Sequence, residues 1–148
     1  MNLKEKINND LKEAMKSGDK SRLNTVRSIR ALILEFEKSG ANKELTPEDE
    51  VRLLTSAAKK RKDSIEQFRN AGRMDLVEQE EAELKVLLEY LPKQLTEEEI
   101  KTEVEKIIQE TGAKGKEDFS KVMPTAMKAL KGQADGNLVR KIVESLLS

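Results

Sequence analysis

The sequence predicts an all-α protein in two parts: an amino-terminal antiparallel helical bundle over residues 1–92 and a carboxy-terminal three-helix domain over residues 93–148. Three observations point there. Apolar residues recur every third or fourth position along most of the chain, the period of a helix that buries one face. No stretch reads convincingly as a strand. The composition, 36% hydrophobic and 38% charged with only 3% aromatic, suits amphipathic helices with thin aliphatic cores better than a β-sandwich or a large α/β enzyme.

The elements follow in order. Leu3, Ile7, Leu11, Ala14 and Met15 share a helical face, so a first helix runs from about Leu3 to Lys16. Gly18 stops it and Asp19 can cap the next, which carries Leu23, Val26, Ile29, Leu32, Ile33 and Phe36 to about Lys38. Ser39 to Leu45 reads as a polar loop. Thr46-Pro47-Glu48-Asp49 is a helix start: a cap oxygen, a proline tolerated in the first turn, and acids that complement the dipole. Val51, Leu54, Ala57, Ala58, Ile65 and Phe68 then give a long helix to about Ala71, which Gly72 ends or bends. Leu76, Val77, Leu84, Leu87, Leu88 and Leu91 carry a fourth helix up to Pro92, which forces the residue before it out of helical geometry.

The junction lies at Leu91 to Leu95, because Thr96-Glu97-Glu98-Glu99 restarts a helix with a capping box. Ile100, Val104, Ile107 and Ile108 are its core side and Gly112 its stop. After a loop from Thr111 to Lys116, Phe119, Val122, Met123, Ala126, Met127 and Leu130 form the next apolar stripe. Pro124 falls inside it and predicts a kink or break near Met123. Gly132 can close this helix in the left-handed conformation, and Asp135 can cap a last one bearing Leu138, Val139, Ile142, Val143 and Leu146.

Composition also excludes chemistries. With no Cys and no His, thiolate nucleophiles, disulfides, Ser-His-Asp triads and the commonest metal ligands are gone. No phosphate-binding loop is present: Gly112-Ala-Lys-Gly-Lys-Glu117 has a Gly-Lys pair in the wrong register. No cofactor and no metal site are therefore expected. The apolar runs are too short for a membrane span and the amino terminus lacks a signal-peptide core, so the expected location is the cytoplasm. Net charge is zero, but unevenly spread: residues 73–112 carry 5 basic and 12 acidic groups (net −7), residues 113–148 carry 7 and 4 (net +3). An anionic partner is better served by the ends than by the middle.

The run Lys131-Gly132-Gln133-Ala134-Asp135-Gly136-Asn137-Leu138-Val139, preceded by Val122-Met123 and Met127-Lys128, resembles the motif of the GatB/YqeY family. That family comprises small YqeY proteins and the tail of the GatB subunit of the tRNA-dependent amidotransferase. Ala14-Met15-Lys16, Asp19, Arg22, Gly72 to Leu76 and Tyr90-Leu91-Pro92-Lys93-Gln94-Leu95 extend the likeness to the YqeY members over essentially the whole chain. The resemblance implies a three-helix GatB/YqeY tail and an accessory module that handles tRNA during glutamine-dependent amidation. The family's label, carbon–nitrogen ligase with glutamine as amido donor, belongs to the whole amidotransferase; this chain is too short for its kinase-like and amidase machinery, and no catalytic residue is assigned.

The candidate RNA-binding set is Lys121, Lys128, Lys131, Gly132, Ala134, Asp135, Gly136 and Arg140. On a helical wheel Lys121 and Lys128 fall about 20° apart opposite the apolar stripe, with Lys131 about 80° from Lys121. Free N–H groups of residues 132–136 can add anion donors. The plainer alternative stays open: lysines in a last turn complement the dipole, Asp135 is a cap, and the glycines shape a corner. Lys59-Lys60-Arg61-Lys62, Arg22, Arg27 and Arg30, and the acids Glu78 to Glu83 and Glu97 to Glu99, read as solvated faces. Phe36, Phe68 and Phe119 lie on apolar faces, which leaves no evident stacking platform for bases. The rival function is a protein-binding adaptor; the oligomeric state is open.

Overall fold

The computed structural model describes residues 2–40 and 44–148, and among them it is all-helical, with seven α-helices and no strand. Residues 41–43 of the predicted polar loop lie outside the described residues. The chain divides into two compact units, Met1–Leu91 and Pro92–Ser148.

In the first unit, α1 (Leu3–Ser17) opens on Asn2, whose side chain accepts the Glu5 N–H at 2.9 Å, and closes on Gly18 at φ 74°. α2 (Lys20–Lys38) opens on Asp19, which accepts the Arg22 N–H at 3.1 Å. The two run antiparallel, since Lys4 at the start of α1 pairs with Glu37 at the end of α2 at 2.8 Å. α3 (Pro47–Asn70) begins with the reciprocal box of Thr46 and Asp49, and Gly72 at φ 72° turns the chain into α4 (Met74–Leu88). The helix therefore ends at this glycine rather than bending there. Ile7, Val26, Ile29, Ile33, Leu54, Ala58 and Leu87 form the core, with Leu3 and Leu91 at its margin. Each large side chain so buried stabilises by about 1.5–3 kcal/mol over exposure.

Two polar clusters tie this unit together. Tyr90 donates to Asp10 across to α1 with Lys6 above its ring, and Arg22 holds Glu89 by two bonds of 2.8 and 3.2 Å. The second cluster corrects the sequence reading. Glu83, within the acidic run expected to be solvated, is only 6% exposed. Arg61, within the basic run, is 16% exposed in its side chain and donates to Glu83 at 2.8 Å, to Glu80 at 3.2 Å and to Ser28 Oγ at 3.1 Å. Four consecutive residues on a helix face every direction, so one of each run points inward; the two inward members have opposite charge and meet.

In the second unit, α5 (Glu97–Thr111) has the expected box of Thr96 and Glu99 and stops at Gly112, φ 71°. A 3-10 turn, Lys116–Asp118, leads into α6 (Phe119–Ala129), and α7 (Gly136–Leu147) ends the unit. The core is Ile100, Val104, Ile107, Val122, Ala126, Leu130, Val139, Val143 and Leu147. The predicted break at Pro124 does not occur: α6 is continuous through it. Proline removes one intrahelical hydrogen bond there, while Val122 and Ala126 on either side are wholly buried and hold both halves in place.

Among the described residues no helix is long and apolar enough to cross a membrane, and no group of three or more His, Cys, Asp or Glu could hold a metal ion.

Candidate nucleic-acid interface

The corner between α6 and α7 is built largely by its own backbone. Gly132 adopts φ 80°, which an L side chain resists, and lets the chain reverse after Leu130. The N–H groups of Gln133 and Ala134 both donate to Leu130 O, at 2.9 and 3.2 Å. The corner's carbonyls are taken as well: Gln94 Nε2 donates to Gly132 O at 2.6 Å and to Pro92 O at 2.9 Å, and the Leu95 N–H donates to Gln133 O at 2.9 Å. Asp135 accepts the Asn137 N–H at 3.1 Å through its side chain and the Val139 N–H at 3.0 Å through its carbonyl.

These bonds correct one expectation: the N–H groups of Gln133 and Ala134 are spent inside the corner and cannot serve an anion. Ala134 packs against the second core. Gly136 has no positive φ; it is the first residue of α7, and a Cβ there would lie 2.9 Å from Met127 Cε. Its small size admits the methionine rather than a turn.

The side chains divide differently. Lys121 is 71% exposed and pairs with Asp118 at 3.5 Å. The Lys114 N–H, at 2.9 Å, and Lys121 beside it hold the Asp118 carboxyl below the usual carboxylate range. Lys128 is exposed and has no ion pair among the described residues. Seven residues apart on one helix, Lys121 and Lys128 rise about 10 Å along the same outward face. Lys131 is also exposed and unpaired, but the helix ends at Ala129, so its wheel position does not hold; the corner sets its direction. Arg140 donates from Nε to Glu144 at 3.2 Å along α7, which offsets its charge. Lys128 and Lys131 thus carry charge that no ion pair among the described residues takes up, Lys121 is exposed but shared with Asp118, and Gly132, Ala134, Asp135 and Gly136 make the scaffold beneath them.

Sequence reasoning passed over Lys116 and Lys141. With Phe119 they line an open groove beside the 3-10 turn and α7. Phe119 does pack against the core, as its position on the apolar stripe predicts, but it is only half-buried and also lines this groove. A helical wheel describes one helix and holds no signal for a groove shared with another.

An all-helical chain whose last two helices meet in a Gly-Gln-Ala-Asp-Gly corner, braced by a Pro-x-Gln-Leu segment, is the class of protein these features define. The family profile described as Yqey-like protein matches residues 4–147. The chain belongs to the YqeY-like family. A relative from Pyrenophora tritici-repentis, named altered inheritance of mitochondria protein 41, mitochondrial, is 36% identical over 143 residues, covering 93% of this chain and 77% of the relative. An uncharacterized protein of Schizosaccharomyces pombe is 37% identical over 91 residues, 62% of this chain and 73% of its own length. A Lachancea thermotolerans protein with the same mitochondrial name is 36% identical over 85 residues, 57% of this chain and 46% of its own. These names overturn the expectation of a cytoplasmic location, since the compartment they carry is the mitochondrion.

Proposed function

We propose that this chain is a non-catalytic accessory module that binds tRNA through its tail, in connection with glutamine-dependent amidation of misacylated aminoacyl-tRNA. The observation that carries the reading is the exposed lysine surface of Lys121, Lys128 and Lys131, within residues 113–148 of net charge +3, set beside a corner that resembles the GatB tail. Phosphates would be met by ammonium groups on a rigid hairpin, a mode that fixes position without reading sequence. Folded RNA would be recognised by shape and backbone.

The test is a titration of purified protein against tRNA at several salt concentrations, beside a variant carrying K121E, K128E and K131E. Each neutralised phosphate adds about 0.9 to the steepness of log K against log salt, so losing three contacts should flatten that slope by two to three. Absence of tRNA binding by the wild type at low salt removes the reading. The same preparation, incubated with glutamine and ATP, should turn over neither.

A second reading is a protein-binding adaptor, favoured by Met15 and Met74 of the first unit, each 53% exposed. It predicts salt-insensitive association that is lost when those methionines become polar. Searches for a protein partner of either kind begin with the mitochondrial compartment in the relatives' names.

A further inference from the structure

An open groove of about 710 Å³ lies along the 3-10 turn and α7, lined by Lys116, Phe119, Lys141, Glu144, Ser145 and Leu147. That volume is within the range of small-molecule sites, roughly 300–1,000 Å³. Phe119 packs against the second core and lends the rest of its surface to the groove. Lys116 and Lys141 enter from two different elements, and neither has an ion pair among the described residues.

Two of the neighbouring acids are already paired. Asp118 takes the Lys114 N–H and Lys121. Glu144 takes Arg140 at 3.2 Å. Glu117 folds over Gly115, its oxygens 3.0 and 3.3 Å from where a Cβ would stand. What faces the groove is the Phe119 ring with apolar surface beside it, two ammonium groups without an ion pair among the described residues, and the Glu144 carboxylate that Arg140 offsets. A flat ring stacks on the first, and a phosphate is held by the second.

We infer that this groove binds a nucleotide, its base against Phe119 and its phosphate between Lys116 and Lys141. The nucleotide is either free or an unpaired residue of an RNA strand. The second case deepens the tRNA reading of the tail, with a contact on side chains outside the lysine surface already described.

The probes are AMP and a fluorescein-labelled single-stranded hexa-adenylate, followed by anisotropy and by the Phe119 ring resonances at low salt. F119L keeps an apolar side chain toward the core and should weaken hexa-adenylate about tenfold. K116Q with K141Q should weaken it by a similar factor, with the loss shrinking as salt rises. E144Q should tighten it. Far-UV circular dichroism checks that helices persist; if F119L unfolds, the exposed lysine pair decides. Hexa-adenylate affinity unchanged in K116Q/K141Q overturns the inference, as does failure of both probes to bind. Saturation by AMP alone supports a free nucleotide, and binding by the strand alone supports an RNA segment. With tRNA, affinity lost in K121E/K128E/K131E but kept in the groove variants overturns the RNA-strand case of the groove and spares the proposed function. Affinity lost only in the groove variants removes the lysine surface and upholds the groove.

Discussion

Replacing Arg61 by Met isolates the buried ion pair that the charge runs concealed. The Arg61 side chain is 16% exposed and that of Glu83 beneath it 7%, so screening by solvent is weak and the pair behaves as an interior one. Met fills most of the arginine's volume, which leaves the loss of charge as the main change. Glu83 then stands buried without its partner, and Ser28 Oγ and Glu80 lose a donor too. Breaking one side of a buried pair costs about 3–5 kcal/mol, whereas replacing both sides by apolar groups is often neutral. R61M should therefore destabilise the first unit by about 3 kcal/mol, E83L by a similar amount, and the double variant by far less than the sum. The chain has one Tyr and no Trp, so Tyr90 fluorescence in urea reports on the first unit alone, and a double-mutant cycle yields the coupling directly. An R61M cost under about 1 kcal/mol with coupling near zero would refute the account and return the network to the value of a surface pair.

The two corner glycines should behave oppositely. G132A forces a side chain into φ 80° and should cost about 1–2 kcal/mol of tail stability; G136A meets only the tip of a flexible Met127 and should be neutral or gain about 0.5 kcal/mol through the unfolded chain, both read by circular dichroism melting. Burial and the neighbouring Asp10 carboxylate raise the Tyr90 hydroxyl above its ordinary value. The folded state thus favours the protonated phenol, so that contribution is complete below about pH 10 and is lost as pH rises through the folded value. The urea midpoint of the first unit should fall as pH rises above about 10, and a Y90F variant with the same slope there would show that other groups cause it.

The helices were legible because each one is announced locally. Asp19, Thr46, Thr96 and Asp135 cap as their spacing predicts, and Gly18, Gly72, Gly112 and Gly132 all take positive φ. What was not legible depends on two elements at once. Arg61 and Glu83 belong to different helices, and a charge run on each says only that some member must face inward. The Phe119 groove needs α7 beside the 3-10 turn. Lys131 was misplaced because the wheel was extended past Leu130, where the carbonyl of Ala126 already ends the ladder. Pro124 does not break α6, because the buried Val122 and Ala126 on either side hold its two halves.

The same distinction bears on how far the family motif speaks to function. Its two most specific pieces, Tyr90 to Leu95 and Lys131 to Gly136, touch in space: Gln94 and Leu95 donate to the carbonyls of Gly132 and Gln133. Gln94 and Leu95 of the first piece and the corner of the second are thus accounted for by one structural joint, while Tyr90 and Leu91 serve the first unit, and the match transmits fold more securely than activity. Gln94 tests this. Removing its amide in Q94A leaves Gly132 O, in a buried residue, without that donor, at a cost of about 1–2 kcal/mol, since an orphaned acceptor carries its desolvation penalty. Q94E is nearly the same size but sets a carboxylate against two carbonyl oxygens, Pro92 and Gly132, so it should cost more than the alanine. All the atoms involved lie in the second unit. Amide exchange at Leu95 should therefore quicken in the order wild type, Q94A, Q94E, while the Tyr90 signal of the first unit holds steady. Equal exchange in all three would mean that the joint holds nothing together; the motif would then need a ligand, rather than the fold, to explain its glutamine.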